Sequence, residues 1–582
     1  MSNLQFCTLP LVAFKLKIFA LKNFFCPLLT TSFLLRDGKL GPMFDAVSAV
    51  ARGRQSRAAF VASRLRISAP SLTELAAALL SSVLLILAFP DFGFWFLAWI
   101  GFIPLLVAIA KRPLPGRSFL LGWLVGTVFF YGSCYWLTHS IIHFGRFPVL
   151  AAFLMLVPGA LILGFFPATF ALVMSLIIRR WQSRAIFLTP FVWTALEWAR
   201  LEVTGQLWNA IGYSQAFHPA LIQTARWGGV YAVGFLILGF NSALAYLILN
   251  RSRRNLAPTL AVIVAVIAAS FAASVTSESS SVYENAKTEL SVVALQPNVP
   301  MDPSISASEL EQLAALHLFE SARALEQVSR DVPRLVIWPE SPMQFTYGTD
   351  QKFQAVVATF ARQYQTALLF NSLEPASPNG AYNSALLVNP EGRLITQYDK
   401  IRLMPFGEYV PLPEWLPGAS LVTAVVGDFT PGSDYRLMPA GPLQAGVFIC
   451  IESAYPLIAR NFAAKGADIL INISNDGYLG PTAVMRQHLA NAVFRAVENG
   501  RPLLRVTNSG ITAYITAAGE VRDDTGGFER AVRVWEVKAS NYQTTFYTRH
   551  GDLLVGVSAF CTIGAGLLTL RKNRKEPRGQ NA

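Results

Sequence analysis

Long uninterrupted apolar runs fill the first half of the chain and its far C-terminal end, and a stretch of short apolar runs separated by polar residues lies between them. The long runs fall at 72–89, 92–110, 118–138, 149–178, 185–200, 227–249, 256–274 and 553–570. A helix needs about 20 apolar residues to cross a bilayer. The runs therefore predict eight spans, the fifth short and carrying Glu197 and Arg200 near its end. From residue 289 the texture changes. Segments 290–296, 334–338, 367–371, 384–388, 445–449 and 468–473 are apolar, bounded by turn residues and too short to span as helices, so they read as strands. Segments 308–329, 351–364 and 484–499 read as helices between them. Mixed strands and helices over this length predict one α/β domain around a buried sheet.

The chain then divides into a basic extension at 1–70, a membrane bundle of about seven helices at 71–274, and a polar linker at 275–288. An α/β domain at 289–540 follows, then a closing membrane helix at 552–571 and a basic tail at 572–582. Residues 9–36 mix apolar positions with Lys15, Lys17 and Lys22, which suits an interfacial helix. The other reading of 1–70 is a poorly ordered start, with Met43 as the initiator. No small-residue cleavage site stands out, so no removed signal peptide is expected.

Composition sharpens the membrane reading: 53% of residues are hydrophobic and 14% charged. A net charge of +13 could suggest nucleic-acid binding, but residues 1–70 carry +8 of it and 571–582 carry +4, leaving the rest nearly neutral. Further basic clusters at Lys111–Arg117, Arg179–Arg184 and Arg251–Arg254 follow the second, fourth and sixth spans. Positive charge gathers on the cytoplasmic side of membrane proteins. Both termini are therefore expected in the cytoplasm and the α/β domain outside it, with no nucleic-acid partner.

Within that domain three strand ends carry reactive groups. Of the five cysteines only Cys450 lies there, at the end of the 445–449 run and two positions before Glu452. It has no partner for a structural disulfide, so it is either a core residue or a nucleophile. Glu340 follows the 334–338 run, and Lys400 lies 60 residues further on and 50 before the cysteine. A thiol is mostly protonated at neutral pH, so attack on an ester needs a base, and Glu340 can serve. Lys400 can face a developing oxyanion, with the backbone N–H of Ile451 as a second donor. Glu408 and Glu452 would hold the ammonium charged and oriented. His488 reads as structural, because Glu340 already fills the base role. No metal spacing, phosphate loop or nucleotide fingerprint is present, so no cofactor or metal is expected.

Glu340 within Pro339-Glu340-Ser341, the stretch Lys400–Pro411 (KIRLMPFGEYVP), and Cys450-Ile451-Glu452 together resemble the nitrilase superfamily, as do Tyr382-Asn383 and Ser474-Asn475-Asp476. Residues 71–570 as a whole are similar to its membrane-embedded branch, the apolipoprotein N-acyltransferases. The resemblance implies an αββα sandwich joined to a multi-pass helical bundle. It implies a catalytic triad of Glu340, Lys400 and Cys450, supported by Asn383, Ile451, Glu408 and Glu452. It also implies an enzyme of the bacterial inner membrane with its catalytic domain in the periplasm. The reaction implied moves an acyl chain from a membrane phospholipid, through a thioester, to the α-amine of a diacylglyceryl-cysteine on an apolipoprotein. The same triad would also suit a membrane-anchored amidase that uses water as acceptor. Apolar residues 416–429 read as a lipid-facing lid or as a packed loop, with Phe429, Phe345, Tyr347 and Tyr478 at the entrance. Ile451 and Tyr478 stand where many members of the family carry Tyr and Trp.

Overall fold

Alternation along each strand determines how the two sheets are covered. In the computed structural model, which describes residues 69–205, 207–252, 256–275, 287–301, 306–340, 345–376, 380–410, 429–538 and 543–570, twelve strands form. They are β1 (Thr288–Gln296), β2 (Arg334–Ile337), β3 (Ala367–Pro375), β4 (Ala381–Val388), β5 (Leu394–Asp399), β6 (Leu437–Ala440), β7 (Leu443–Ile449), β8 (Ile469–Ser474), β9 (Leu503–Thr507), β10 (Ala513–Ile515), β11 (Val521–Arg522) and β12 (Ala531–Lys538). They make two six-stranded sheets, ordered β12-β1-β2-β3-β4-β5 and β11-β10-β9-β8-β7-β6. Each has a parallel centre, β1-β2-β3 in one and β7-β8-β9 in the other, flanked by antiparallel strands.

Because successive side chains in a strand point to opposite faces, β1 feeds two different cores. Leu290, Val292 and Ala294 join the apolar cluster that runs into the second sheet. Val293 and Leu295 join Phe353, Val357 and Phe360 beneath helices Ala307–Leu325 and Gln351–Tyr364. The sheets meet face to face, β1 on β9 and β4 on β7. Helices Pro456–Ala464 and Val484–Asn499 cover the far side of the second sheet. The result is the expected αββα sandwich.

Helix Val484–Asn499 is buried at every position except Met485 and Arg486, although its sequence is polar. It lies between the sheet and the apolar helices of the N-terminal half, and its polar residues serve that second contact. The indole N–H groups of Trp136 and Trp208 donate to Gln487 Oε1 at 3.0 and 2.9 Å, while its Nε2 donates to the carbonyls of Pro90 and Ser133. Arg495 donates to the Tyr213 hydroxyl, and Glu498 accepts the Val230 N–H at 2.8 Å.

The apolar half contains several candidate membrane helices. Among the described residues, Val149–Thr204, Ala225–Leu249 and Leu256–Ala273 are long and apolar enough to cross, and Pro115–Ser133 with Leu137–His143 adds a fourth if that pair, bent by 55°, is one span. Leu72–Ala88, Trp95–Lys111 and Leu553–Thr569 are shorter apolar helices. All eight apolar runs are thus helical, but the second is assembled from short pieces and the fourth and fifth run on through a tight 3₁₀ segment, Gln182–Leu188. Helices Pro115–Ser133 and Val149–Trp181 cross closely: a Cβ on Gly122 would lie 2.3 Å from the Pro167 carbonyl. Small residues allow that approach where no water is available to drive packing. The basic extension up to residue 68, linker residues 276–286, residues 411–428, which include all of the 416–429 segment except Phe429, and the tail 571–582 lie outside the described residues.

Candidate active site

The site is assembled where β4 of one sheet meets β7 of the other. β7 ends at Cys450, which has φ +53° and starts a 3₁₀ turn, Cys450–Ala454. The left-handed region costs a residue with a Cβ about 1–2 kcal/mol, so the surroundings must hold the turn. Glu452 Oε2 accepts the Ile449 N–H at 2.7 Å, and the Cys450 carbonyl accepts from Asn472 Nδ2 at 3.4 Å. The same carbonyl lies 3.0 Å from His488 Nε2.

Lys400 follows β5 and is 1% exposed. Its backbone N–H donates to the Asn383 carbonyl at 2.8 Å, which fixes the lysine beside β4. Its Nζ donates to Glu408 Oε1 at 2.9 Å and to Glu340 Oε1 at 3.3 Å. Burial alone would pull the proton off this ammonium; the carboxylates of Glu340 and Glu408 outweigh it and hold the group well above the usual lysine range. Asn383 Nδ2 bridges the same two oxygens, at 2.9 Å to Glu340 and 2.7 Å to Glu408. Asn371 donates to Asn383 Oδ1 at 2.7 Å, so the amide can point only one way. The second oxygen of Glu340 accepts the Asn475 N–H at 3.1 Å, and that of Glu408 accepts the Met404 N–H at 2.7 Å.

The structure thus brings Glu340, Lys400, Glu408 and Asn383 into one buried network, with the Cys450 thiol within its field. Burial pushes that thiol up; the negative charge of Glu340 adds to this and Lys400 opposes it. A resting thiol so placed keeps its proton.

Glu452 differs from expectation in how it acts. It does not pair with the Lys400 ammonium. Its Oε1 accepts the Tyr398 hydroxyl at 2.8 Å and the N–H groups of Ile401 at 2.8 Å and Arg402 at 3.0 Å. With Ile449 on its other oxygen, one carboxylate clamps the lysine loop to the cysteine turn. Burial pushes this carboxyl up to about 7, against the opposing pull of its N–H and hydroxyl donors and of Lys400.

The entrance residues divide. Tyr478 is 48% exposed, packs its ring against Phe144 of the apolar half at 5.4 Å, and offers its carbonyl to Ser140 at 2.6 Å. Phe429 donates its N–H to the Glu408 carbonyl, next to the network. Phe345 stacks on Phe353 at 4.4 Å, and Tyr347, buried, packs on Phe353 and Phe370. Both belong to the apolar layer beneath helix Gln351–Tyr364. Ile451, 8% exposed, follows the cysteine on its turn.

Sequence reading missed Asn371 and Asn472. Their signal was there to find: an Asn inside a short apolar strand must satisfy its amide from within the core.

An αββα sandwich whose strand ends present a carboxylate, an ammonium and a thiol, set on apolar helices, is a membrane-associated protein of the carbon-nitrogen hydrolase class. Residues 292–547 match the carbon-nitrogen hydrolase family, and residues 81–243 match the apolipoprotein N-acyltransferase N-terminal domain. The apolipoprotein N-acyltransferase of Geobacter metallireducens is 33% identical over 508 residues, spanning 86% of this chain and 95% of the relative. That of Azotobacter vinelandii is 30% identical over 510 residues, spanning 86% and 96%. An amidase from Nesterenkonia sp. matches 47% of this chain and 97% of its own at 19% identity, with a TM-score of 0.34. The chain belongs to the apolipoprotein N-acyltransferase family.

Proposed function

We propose that the protein transfers a fatty acyl chain from a membrane phospholipid to the N-terminal diacylglyceryl-cysteine of apolipoproteins, through a thioester on Cys450. In the first half-reaction Glu340 takes the thiol proton as sulfur attacks the ester carbonyl. Lys400 and the Ile451 N–H receive the oxyanion. Collapse expels the glycerol oxygen, which recovers the proton from Glu340, and lysophospholipid leaves. In the second, the α-amine attacks the thioester and Glu340 takes its proton. The amide forms, and sulfur departs to be reprotonated. Glu408 and Asn383 keep the ammonium and the base in register; Glu452 keeps the two loops in register. Each oxyanion donor is worth about 3–4 kcal/mol in the transition state.

The observation that carries this reading is Lys400, held charged between Glu340 and Glu408 in a buried network beside the cysteine turn. The apolar half supplies the reason for a lipid substrate. Acyl chains stay in hydrocarbon, each CH₂ being worth about 0.8 kcal/mol, so an enzyme seated in the bilayer avoids extracting them. Charge bias supports both termini in the cytoplasm, which puts residues 289–540 in the periplasm of a bacterium, anchored to the inner membrane by the bundle before and the helix after.

The test is incubation of the full-length enzyme with acyl-labelled phospholipid and a diacylated lipopeptide. Label on Cys450 as a thioester, then on the peptide amine, is expected, with Cys450→Ala carrying neither. Release of label as free fatty acid, with no N-acyl peptide, would establish the hydrolase instead.

A further inference from the structure

We propose that His488 is a positioning residue for the oxyanion site, acting through the carbonyl of Cys450. This rests on Cys450 being the nucleophile and the Ile451 N–H an oxyanion donor. His488 is 3% exposed on helix Val484–Asn499. Its Nδ1 lies 2.7 Å from Asp476 Oδ1 and its Nε2 lies 3.0 Å from the Cys450 carbonyl oxygen. A carboxylate and a carbonyl are both acceptors, so each ring nitrogen satisfies its partner only by donating.

The arrangement closes into a ring. Arg505 donates to Asp476 Oδ2 at 2.9 Å and to Asn472 Oδ1, and Asn472 donates to the same Cys450 carbonyl that His488 addresses. One guanidinium thus stands behind two buried routes that converge on one oxygen. Arg505 and Asn472 are wholly buried and Asp476 nearly so, which leaves the ring shielded from water. Trp208 from the apolar half packs against His488 with the rings tilted, centroids 5.5 Å apart.

Convergence on that oxygen has a chemical consequence. The Cys450 carbonyl and the Ile451 N–H belong to one peptide group. Donors on the carbonyl draw electron density towards oxygen and make the attached N–H a stronger donor, an effect of about 10–30% per bond in condensed phases. The donors also hold the peptide plane fixed while the turn bears its left-handed φ. His488 therefore strengthens and aims the N–H that meets the oxyanion, without touching substrate.

A role confined to packing would predict something different, and the thiol itself tells them apart. Alkylation of Cys450 by iodoacetamide is a displacement at carbon that forms no oxyanion, whereas thioester formation does. In the full-length enzyme, His488→Ala is expected to slow single-turnover thioester formation about tenfold, a part of the hundredfold or more that losing a whole donor costs. KM for phospholipid and the Cys450 alkylation rate should stay within about threefold. His488→Gln, which keeps one donor, should recover part of the rate. Asp476→Asn serves as the second variant if His488→Ala unfolds; it should slow thioester formation severalfold with alkylation unchanged. Parallel loss of alkylation and thioester formation in the folded variants, or no loss of thioester formation, overturns the inference. Retention of acyl transfer by Cys450→Ala would instead overturn the nucleophile assignment beneath it.

Discussion

Glu452, two residues past the cysteine, accepts the backbone N–H of Ile401, one residue past the lysine, at 2.8 Å. Two loops from different sheets are thereby joined at their reactive ends by one side chain. Every partner of that carboxylate is a donor, so an amide in its place sets N–H against N–H. Glu452→Gln is expected to lose about 1–3 kcal/mol of stability, read as a lowered Tm in detergent, together with at least a tenfold loss of acyl transfer. Retention of both the Tm and the rate would show that the clamp does nothing.

Glu408 lies nearer the Lys400 ammonium than Glu340 does, 2.9 against 3.3 Å. Removing that charge leaves Glu340 as sole counterion, bound more tightly and so a weaker base. Glu408→Gln should reduce kcat about a hundredfold with little change in KM. An unchanged kcat would make Glu408 a structural partner only.

Burial and the Glu340 charge both hold the Cys450 thiol up. Iodoacetamide should therefore modify it slowly at neutral pH, and the rate should still be rising above about pH 9, beyond the range of an ordinary thiol. In Glu340→Gln one opposing charge is gone, so alkylation should be no slower than in the unaltered enzyme while acyl transfer falls by about 10²–10⁴-fold. A plateau of alkylation near neutral pH would contradict this account of the resting thiol.

Asp476 gives a pH signature of folding. Its burial favours the neutral acid, but the charges of His488 and Arg505 outweigh that and hold it down to about 2. A depressed carboxylate stabilises the fold above the unfolded range of about 4 and loses that contribution as pH falls towards the folded value, about 2 kcal/mol in all. The Tm should drop over that acid window, and Asp476→Asn should start lower at neutral pH and drop less. Equal acid slopes for the two proteins would show that Asp476 is not the titrating group.

The sequence made the apolar strands legible because their side chains are buried on both faces: β1, β2, β3, β4, β7 and β8 all fall where apolar runs predict them. β5 and β12 escaped notice because they are edge strands with one face in solvent, and their mixed polar sequences (LITQYD and AVRVWEVK) read as loop. β9 hid for the opposite reason, since Arg505 interrupts its apolar run yet is wholly buried. Lys400 follows β5 and had no apolar run to mark it; the placement of Glu340 and Cys450 at strand ends was readable because each follows its own apolar run. The second layer was not. That Glu452 grips backbone rather than the ammonium depends on which way a turn with positive φ faces, and no local pattern carries that information.

The two-sided helix Val484–Asn499 bears on how this enzyme can be handled. Detached from the apolar helices, the sandwich would present Gln487, Arg495 and Glu498 to solvent with their tryptophan, tyrosine and backbone counterparts removed. A bare αββα half of this chain is thus no free-standing amidase awaiting release. Its catalytic half and its lipid-facing half are mated through a shared polar seam, and trimming one away leaves the other with an unfinished surface.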